Sequence, residues 1–152
     1  MNEEKRPGGL TALAVINFVF SGWSLIGLIF LAGFFALIGK IPTDNMQEVQ
    51  KAQIEAFQNM GLPVFIIIFL LSLVSSVLLL LAGIGYLKQK KFLGRTIGNL
   101  YGVISIISSV VSGILFSSEL GGGFNIMTMV GLIYPVLTLI LLNTTFREDL
   151  TN

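Results

Sequence analysis

The sequence predicts an all-α fold, a four-transmembrane-helix bundle with a short amphipathic helix in the first extracytoplasmic loop. All nine Lys and Arg and all eight Asp and Glu lie outside four apolar stretches, 9–39, 62–87, 96–118 and 124–146. Each stretch is longer than the roughly 18 charge-free residues that indicate a transmembrane helix. Charged residues make up only 11% of the chain, whereas soluble domains contain about a quarter.

We expect one integral membrane domain over residues 1–152, with transmembrane helices at about 10–38, 62–87, 94–117 and 125–146. The first helix is predicted to be retained, because its apolar stretch is far longer than the roughly 7–15-residue core of a signal peptide. The chain is therefore interpreted as a multi-pass membrane protein.

The polar connection after the first helix is predicted to contain the amphipathic helix. Asp44 followed by Gln47 matches a capping box, and apolar residues recur near helical spacing until Gly61. Lys51 and Glu55 stand four residues apart, which favours an ion pair on one helix face. Three placements stay open for this helix: on the outer membrane surface, across the mouth of the bundle, or against a partner protein.

The basic residues predict the orientation, because positive charge collects on the cytoplasmic side of a membrane. Four crossings place seven basic residues on one side and two on the other, so both termini are predicted to be cytoplasmic. The seven are Lys5, Arg6, Lys88, Lys90, Lys91, Arg95 and Arg147, and the two are Lys40 and Lys51.

The short basic segment 88–95 has two interpretations. Lys88, Lys90, Lys91 and Arg95 serve as a topology signal alone, or they also contact anionic lipid headgroups. The sequence favours the first interpretation and leaves the second open.

A stripe of small residues on the third helix predicts close helix packing. Its six members are Gly94, Gly98, Gly102, Ser105, Ser109 and Gly113. Helices in lipid gain little from hydrophobic association, so they approach closely over small residues instead. Packing within the bundle is the favoured interpretation, and contact with a second copy of the chain is the alternative.

Three polar side chains are predicted to meet near the middle of the membrane. Counting about 1.5 Å per residue from the helix ends places Ser72, Ser105 and Tyr134 at a depth of about 15 Å. They either form interhelical hydrogen bonds or line a weakly polar cavity for a small neutral or lipid-like ligand. Pro135 is expected to kink the fourth helix at this depth, because it removes the hydrogen bond to Gly131.

Several function classes are excluded by what the sequence lacks. Cysteine and histidine are both absent, which removes thiol chemistry and the commonest metal and haem ligands. The four apolar stretches contain no Asp, Glu, Lys or Arg, which argues against ion-coupled transport and proton relays. A net charge of +1 gives no reason to expect nucleic-acid binding. We therefore predict no cofactor, no metal and no enzymatic activity.

Three segments carry a resemblance to known proteins. They are Arg6-Pro-Gly-Gly-Leu-Thr-Ala-Leu-Ala-Val15, Gly83-Ile-Gly-Tyr-Leu-Lys-Gln-Lys-Lys-Phe-Leu-Gly-Arg95, and Tyr134-Pro135 with Leu142-Asn143. Together they resemble a loose class of small, uncharacterised bacterial four-helix inner-membrane proteins. The resemblance implies the bacterial cytoplasmic membrane and brings no activity or site residues with it.

Two functions are compatible with these observations. The first is a non-enzymatic accessory subunit or scaffold of a membrane assembly, acting through helix packing with other subunits or a second copy of itself. The alternative is a binding site or passageway for a small neutral solute or lipid. The physiological process, the ligand or partner and the oligomeric state are left open.

Overall fold

The structure is a computed structural model and describes residues 7–42, 46–59, 61–120 and 126–150. These residues form five α-helices and no strand, which confirms the predicted all-α fold and the short helix after the first long one. The helices are α1 (Gly8–Ile38), α2 (Glu48–Asn59), α3 (Leu62–Leu87), α4 (Ile97–Leu120) and α5 (Ile126–Asn143). A π-helical segment, Lys91–Thr96, leads directly into α4.

Two of the helices are long and apolar enough to cross a membrane. By length and composition alone, α1 and α3 meet this criterion, and no other helix in the described ranges does. Helix α5 contributes a shorter apolar segment, Gly131–Asn143. The predicted capping residue Asp44 and the basic residues Lys5 and Arg6 lie outside the described residues.

The long helices pack in the order α1, α3, α4 and α5. Helix α3 lies between α1 and α4, and α4 lies between α3 and α5. Helices α1 and α5 meet through large side chains: the ring of Phe20 meets the ring of Tyr134 edge-on at 4.9 Å. Four helices therefore surround a common interior, and α5 closes it against α1 through side chains.

The short helix α2 covers one end of this arrangement, where it contacts both α1 and α4. Gln58 Nε2 donates to the carbonyl of Ile38 at 2.9 Å, so it satisfies a backbone group at the end of α1. The ring of Phe57 meets that of Phe34 edge-on at 5.5 Å. The predicted pair Lys51–Glu55 is present at 3.8 Å.

The opposite end, here called the closed end, contains the main hydrophobic core. Its cluster draws on all four long helices and on the segment after α5, and comprises Leu10, Leu13, Ala14, Ala82, Tyr86, Ile97, Leu142, Phe146 and Leu150. After α5 the chain turns back, so Phe146 packs on Gly9 and Leu150 on Gly94. This end is held by contacts between residues far apart in sequence.

Candidate functional site: a cavity lined by serine

The glycines of the small-residue stripe are buried inside the chain. A side chain added at Gly98 would meet Tyr86 and Leu142, and one added at Gly102 would lie 2.6 Å from Leu139. Gly94 is equally enclosed, by Leu150 and the backbone of Gly85. These three positions therefore pack within one molecule.

The rest of the stripe is less enclosed. Ser105, Ser109 and Gly113 are each half-buried. Ser105 and Ser109 line a cavity instead of touching a neighbouring helix closely. One stripe on α4 thus changes from a packing surface to a cavity wall along its length.

The cavity has a volume of about 240 Å³ and lies between the four long helices. Six serines from three helices line it: Ser24 on α1, Ser72 and Ser75 on α3, and Ser105, Ser108 and Ser109 on α4. The remaining lining residues are Phe20, Leu79, Tyr101, Gly131 and Pro135. We call this space the serine cavity.

The sequence analysis does not predict Ser75 and Ser108 as cavity residues, although a repeated sequence pattern places them there. Residues 72–76 of α3 and 105–109 of α4 share the pattern Ser-x-x-Ser-Ser. On a helix, positions three and four residues apart lie on one face, so each copy presents its hydroxyls together. Two adjacent helices with the same pattern therefore place polar faces on both sides of one space.

Part of the polar surface is used to join α1 to α3. Ser24 and Ser76 hydroxyls are 2.6 Å apart, and Ser76 also donates to the carbonyl of Ser72 at 2.8 Å. Ser21 donates to the carbonyl of Ser76 at 2.9 Å. The α1 side of the cavity is therefore held by hydrogen bonds between helices.

Other hydroxyls of the cavity lining form no hydrogen bond between described helices. The Ser75 hydroxyl is buried and has no hydrogen-bond partner among the described residues. In the same part of the chain, the hydroxyls of Ser105, Ser108 and Ser109 make no hydrogen bond to another helix. An unpaired buried hydroxyl costs about 1–3 kcal/mol, so Ser75 favours an occupant that forms hydrogen bonds.

Tyr134, predicted to line the cavity with Ser72 and Ser105, lies directly behind the lining. Its ring packs against the lining rings of Phe20 and Tyr101, with centroids 4.9 Å and 6.3 Å away. Its hydroxyl donates to Asn17 Oδ1, and Asn17 in turn donates to the carbonyl of Leu79 at 3.2 Å. Ser72 and Ser105 do meet at the cavity, while Tyr134 supports its aromatic wall.

Helix α5 contributes backbone to the remaining wall. Pro135 lies inside the helix and lacks a backbone N–H, so the carbonyl of Gly131 loses its usual helical partner. Both residues line the cavity. Helix α5 therefore lines the cavity at the point where Pro135 interrupts its backbone hydrogen bonds.

The described lining of the serine cavity is mainly hydroxylic and aromatic. Serine hydroxyls donate and accept hydrogen bonds, whereas no Asp, Glu, Lys or Arg is found among the lining residues that the structure describes. The described residues also contain no group of three or more potential His, Cys, Asp or Glu metal ligands. The arrangement suits recognition of an uncharged molecule.

A larger groove lies elsewhere, with about 630 Å³ along one side of α5. Its lining is aliphatic and thioether only, from Met129, Leu132, Ile133, Val136, Leu137, Ile140 and Leu141. Such a surface has no polar group to orient a ligand, so it fits a bound molecule less specifically than the serine cavity.

The basic residues predicted to contact lipid lie at the closed end. Lys88, Lys90 and Lys91 are exposed between α3 and α4, and Arg95 is half-buried. Arg95 Nη2 donates to Asn143 Oδ1 at 3.4 Å. The sequence prediction identified the basic residues and missed the asparagine beside them.

No protein-family model, curated protein or solved structure matches the chain.

Proposed function

We propose that this chain is a four-helix integral membrane protein that binds, or passes, a small neutral polar molecule in the serine cavity. One observation carries the proposal. Six serines from three helices line an open pocket of about 240 Å³ on a bundle whose other surfaces are mainly apolar.

Membrane placement is supported by the exposure of the long apolar helices. Only 17% of the apolar window of α1 and 11% of that of α3 is buried. Trp23, Ile29 and Phe30 are 80%, 73% and 74% exposed on α1. Soluble monomers rarely expose continuous apolar surface on this scale, whereas lipid covers it without cost. On this proposal α1, α3, α4 and α5 each cross the bilayer.

The orientation proposed from the basic residues places both termini and the closed end in the cytoplasm of a bacterial cell, with α2 outside. The chain has no cysteine, so single cysteines report their own position. Val49→Cys on α2 should react with a membrane-impermeant thiol reagent in intact cells, and Lys90→Cys should react only after lysis. Reaction of Lys90→Cys in intact cells would reverse the orientation.

The class of occupant follows from the lining. A charged molecule would lack a counter-charge inside the membrane, and this is costly. A purely apolar molecule would leave the Ser75 hydroxyl unpaired. The volume of about 240 Å³ is sufficient for a small solute.

Cysteine accessibility also tests the cavity. We expect Ser108→Cys to react with the neutral reagent hydroxyethyl methanethiosulfonate. It should not react with the quaternary ammonium analogue of this reagent, because the cavity admits small uncharged molecules. Glycerol in excess should slow the reaction by occupying the same space.

Two control positions make the result interpretable. Ser21→Cys replaces a fully buried serine outside the cavity and should stay unreactive, and Val49→Cys on exposed α2 should react with both reagents. A Ser108→Cys variant as unreactive as Ser21→Cys would contradict an accessible polar cavity and remove the basis of the proposal.

The accessory-subunit or scaffold role stays a prediction. The aliphatic groove on α5 favours it, because a partner helix would fit such a surface. Gly94, Gly98 and Gly102 are covered within the chain and are unavailable to a partner. Purification from native membranes in mild detergent tests this role: a monomer with no associated protein would count against it.

A further inference from the structure

The basic turn at the closed end has no close ion-pair partner among the described residues, and the five basic residues 88, 90, 91, 95 and 147 outnumber the two acidic residues, Glu148 and Asp149, of the segment packed beside it. In the part of the chain that the structure describes, the ion pair found is Lys51–Glu55 at the far end of the molecule. Lys88, Lys90 and Lys91 therefore present free ammonium groups around the turn. Such a group of charges attracts anions near a membrane surface.

One of the basic residues is held in place by neutral neighbours. Asn143 accepts from Arg95 and exchanges two hydrogen bonds with Asn99, at 2.8 and 3.3 Å. Asn143 Nδ2 also donates to the carbonyl of Leu139 at 2.8 Å. These contacts use one of the five guanidinium N–H groups of Arg95, so four remain for a ligand. The two asparagines thus orient Arg95 without cancelling its charge.

An apolar side chain accompanies these charges. Phe92 is 68% exposed and stands between Lys91 and Arg95 in the sequence. Exposed aromatic rings favour the headgroup region of a bilayer, where they meet acyl chains. A free phosphate ion would gain nothing from this ring, whereas a phospholipid would gain contacts with both its headgroup and its chains.

We propose that the closed end binds the phosphate of an anionic phospholipid, with Arg95 and Asn99 as donors to the phosphate and Phe92 against the acyl chains. Asn143 is a positioning residue, and the three lysines supply general attraction. The inference rests on the membrane placement proposed above and is independent of the occupant of the serine cavity.

The test is lipid retention by the full chain. The protein is reconstituted into nanodiscs containing equal amounts of phosphatidylglycerol and phosphatidylcholine, and lipids that remain bound after gentle detergent extraction are counted by native mass spectrometry. The wild-type chain should retain phosphatidylglycerol preferentially. Arg95→Gln should reduce this preference by about fivefold, as expected for one basic residue near the surface.

Asn143→Ala separates positioning from charge. It leaves every basic residue in place, yet it should lower the preference about twofold to threefold because Arg95 loses its orientation. Lys51→Gln is the matched control: it removes one positive charge at the other end and should leave retention unchanged.

Three outcomes would overturn this inference. Equal losses in Arg95→Gln and Lys51→Gln would indicate diffuse attraction, and loss only in a Lys88→Gln, Lys90→Gln, Lys91→Gln triple variant would place binding on the lysines. Displacement of the lipid by inorganic phosphate would indicate a free-anion site. A wild-type chain that does not enter nanodiscs at all would contradict the proposed membrane placement itself.

Discussion

The closed end and the serine cavity are built from the same four helices, yet their small residues behave differently. A Cβ added at Gly85 or Gly98 of the closed end would collide with a neighbour, whereas one added at Gly131 of the cavity lining would meet nothing within 4 Å. Small residues therefore do not by themselves produce close packing.

The difference lies in what stands opposite each small residue. At the closed end, Gly98 faces Tyr86 and Leu142, so large side chains fill the space that glycine leaves. In the cavity, Ser72 and Ser105 stand on facing helices, and two small side chains leave a gap between them. Gly98 opposite Tyr86 and Leu142 therefore packs tightly, whereas Ser72 and Ser105 line an open polar space.

The strongest test of this comparison is Gly85→Ala. An added Cβ would collide with the backbone of Leu93 and Gly94, which cannot rotate away as a side chain can. We expect a loss of about 3 kcal/mol in the free energy of unfolding, measured by titration with SDS in mixed micelles. Gly27→Ala is the matched control and should change stability little, because its Cβ meets no atom. Equal stability of the two variants would refute the contrast.

Gly98→Ala should have the next largest effect. Its neighbours Tyr86 and Leu142 are side chains that can shift, so we expect a loss of about 1.5 kcal/mol in the same titration. In a chain that already carries Leu142→Ala, Gly98→Ala should cost less than it does in the wild-type chain, because the smaller side chain at position 142 leaves room for the added Cβ. Strictly additive effects would show that Gly98 and Leu142 are not coupled.

Asn17→Ala tests the hydrogen bonds that join α1 to α3 and α5 beside the serine cavity. Asn17 is fully buried, donates to the carbonyl of Leu79 and accepts from the Tyr134 hydroxyl. Interhelical hydrogen bonds in membranes average about 0.6 kcal/mol each, so removing both should cost about 1 kcal/mol. Thr11→Ala on the exposed side of the same helix should cost less. If the two variants unfold at the same SDS fraction, the buried bonds contribute no net stability.

Ser24→Ala should have the smallest effect. It removes the bond to the Ser76 hydroxyl, worth about 0.6 kcal/mol. Ser105→Ala removes a hydroxyl that bonds to no other described helix, so its unfolding free energy should match that of the wild-type chain. A larger loss of unfolding free energy from Ser105→Ala than from Ser24→Ala would mean that the cavity hydroxyls stabilise the bundle. It would contradict the view that they are available to bind an occupant.

The sequence predicts the helices well because apolar length is a local property. Residues 62–87 were predicted as one helix, and α3 spans Leu62–Leu87. The short helix α2 and its Lys51–Glu55 pair were also predicted and are confirmed, since both follow from helical spacing within one segment. Local patterns of charge and hydrophobicity are sufficient for features of this kind.

Features that depend on helix pairing were not predictable in this way. The stripe on α4 looks uniform in sequence, and only the neighbours contributed by α3 and α5 decide that Gly102 is covered and Ser109 is not. The Asn99–Asn143 pair joins residues 44 positions apart on different helices. A hydropathy profile has no information on which polar residues will face each other.

The core cluster has a consequence for how the protein is made. Leu10 and Leu150 belong to the same cluster, although nearly the whole chain separates them. At about 5–20 residues per second, a ribosome needs roughly 7–28 s to synthesise the segment between them. Gly9 stays uncovered for nearly all of that time and Gly94 for its last part, because Phe146 and Leu150, which cover them, are synthesised later.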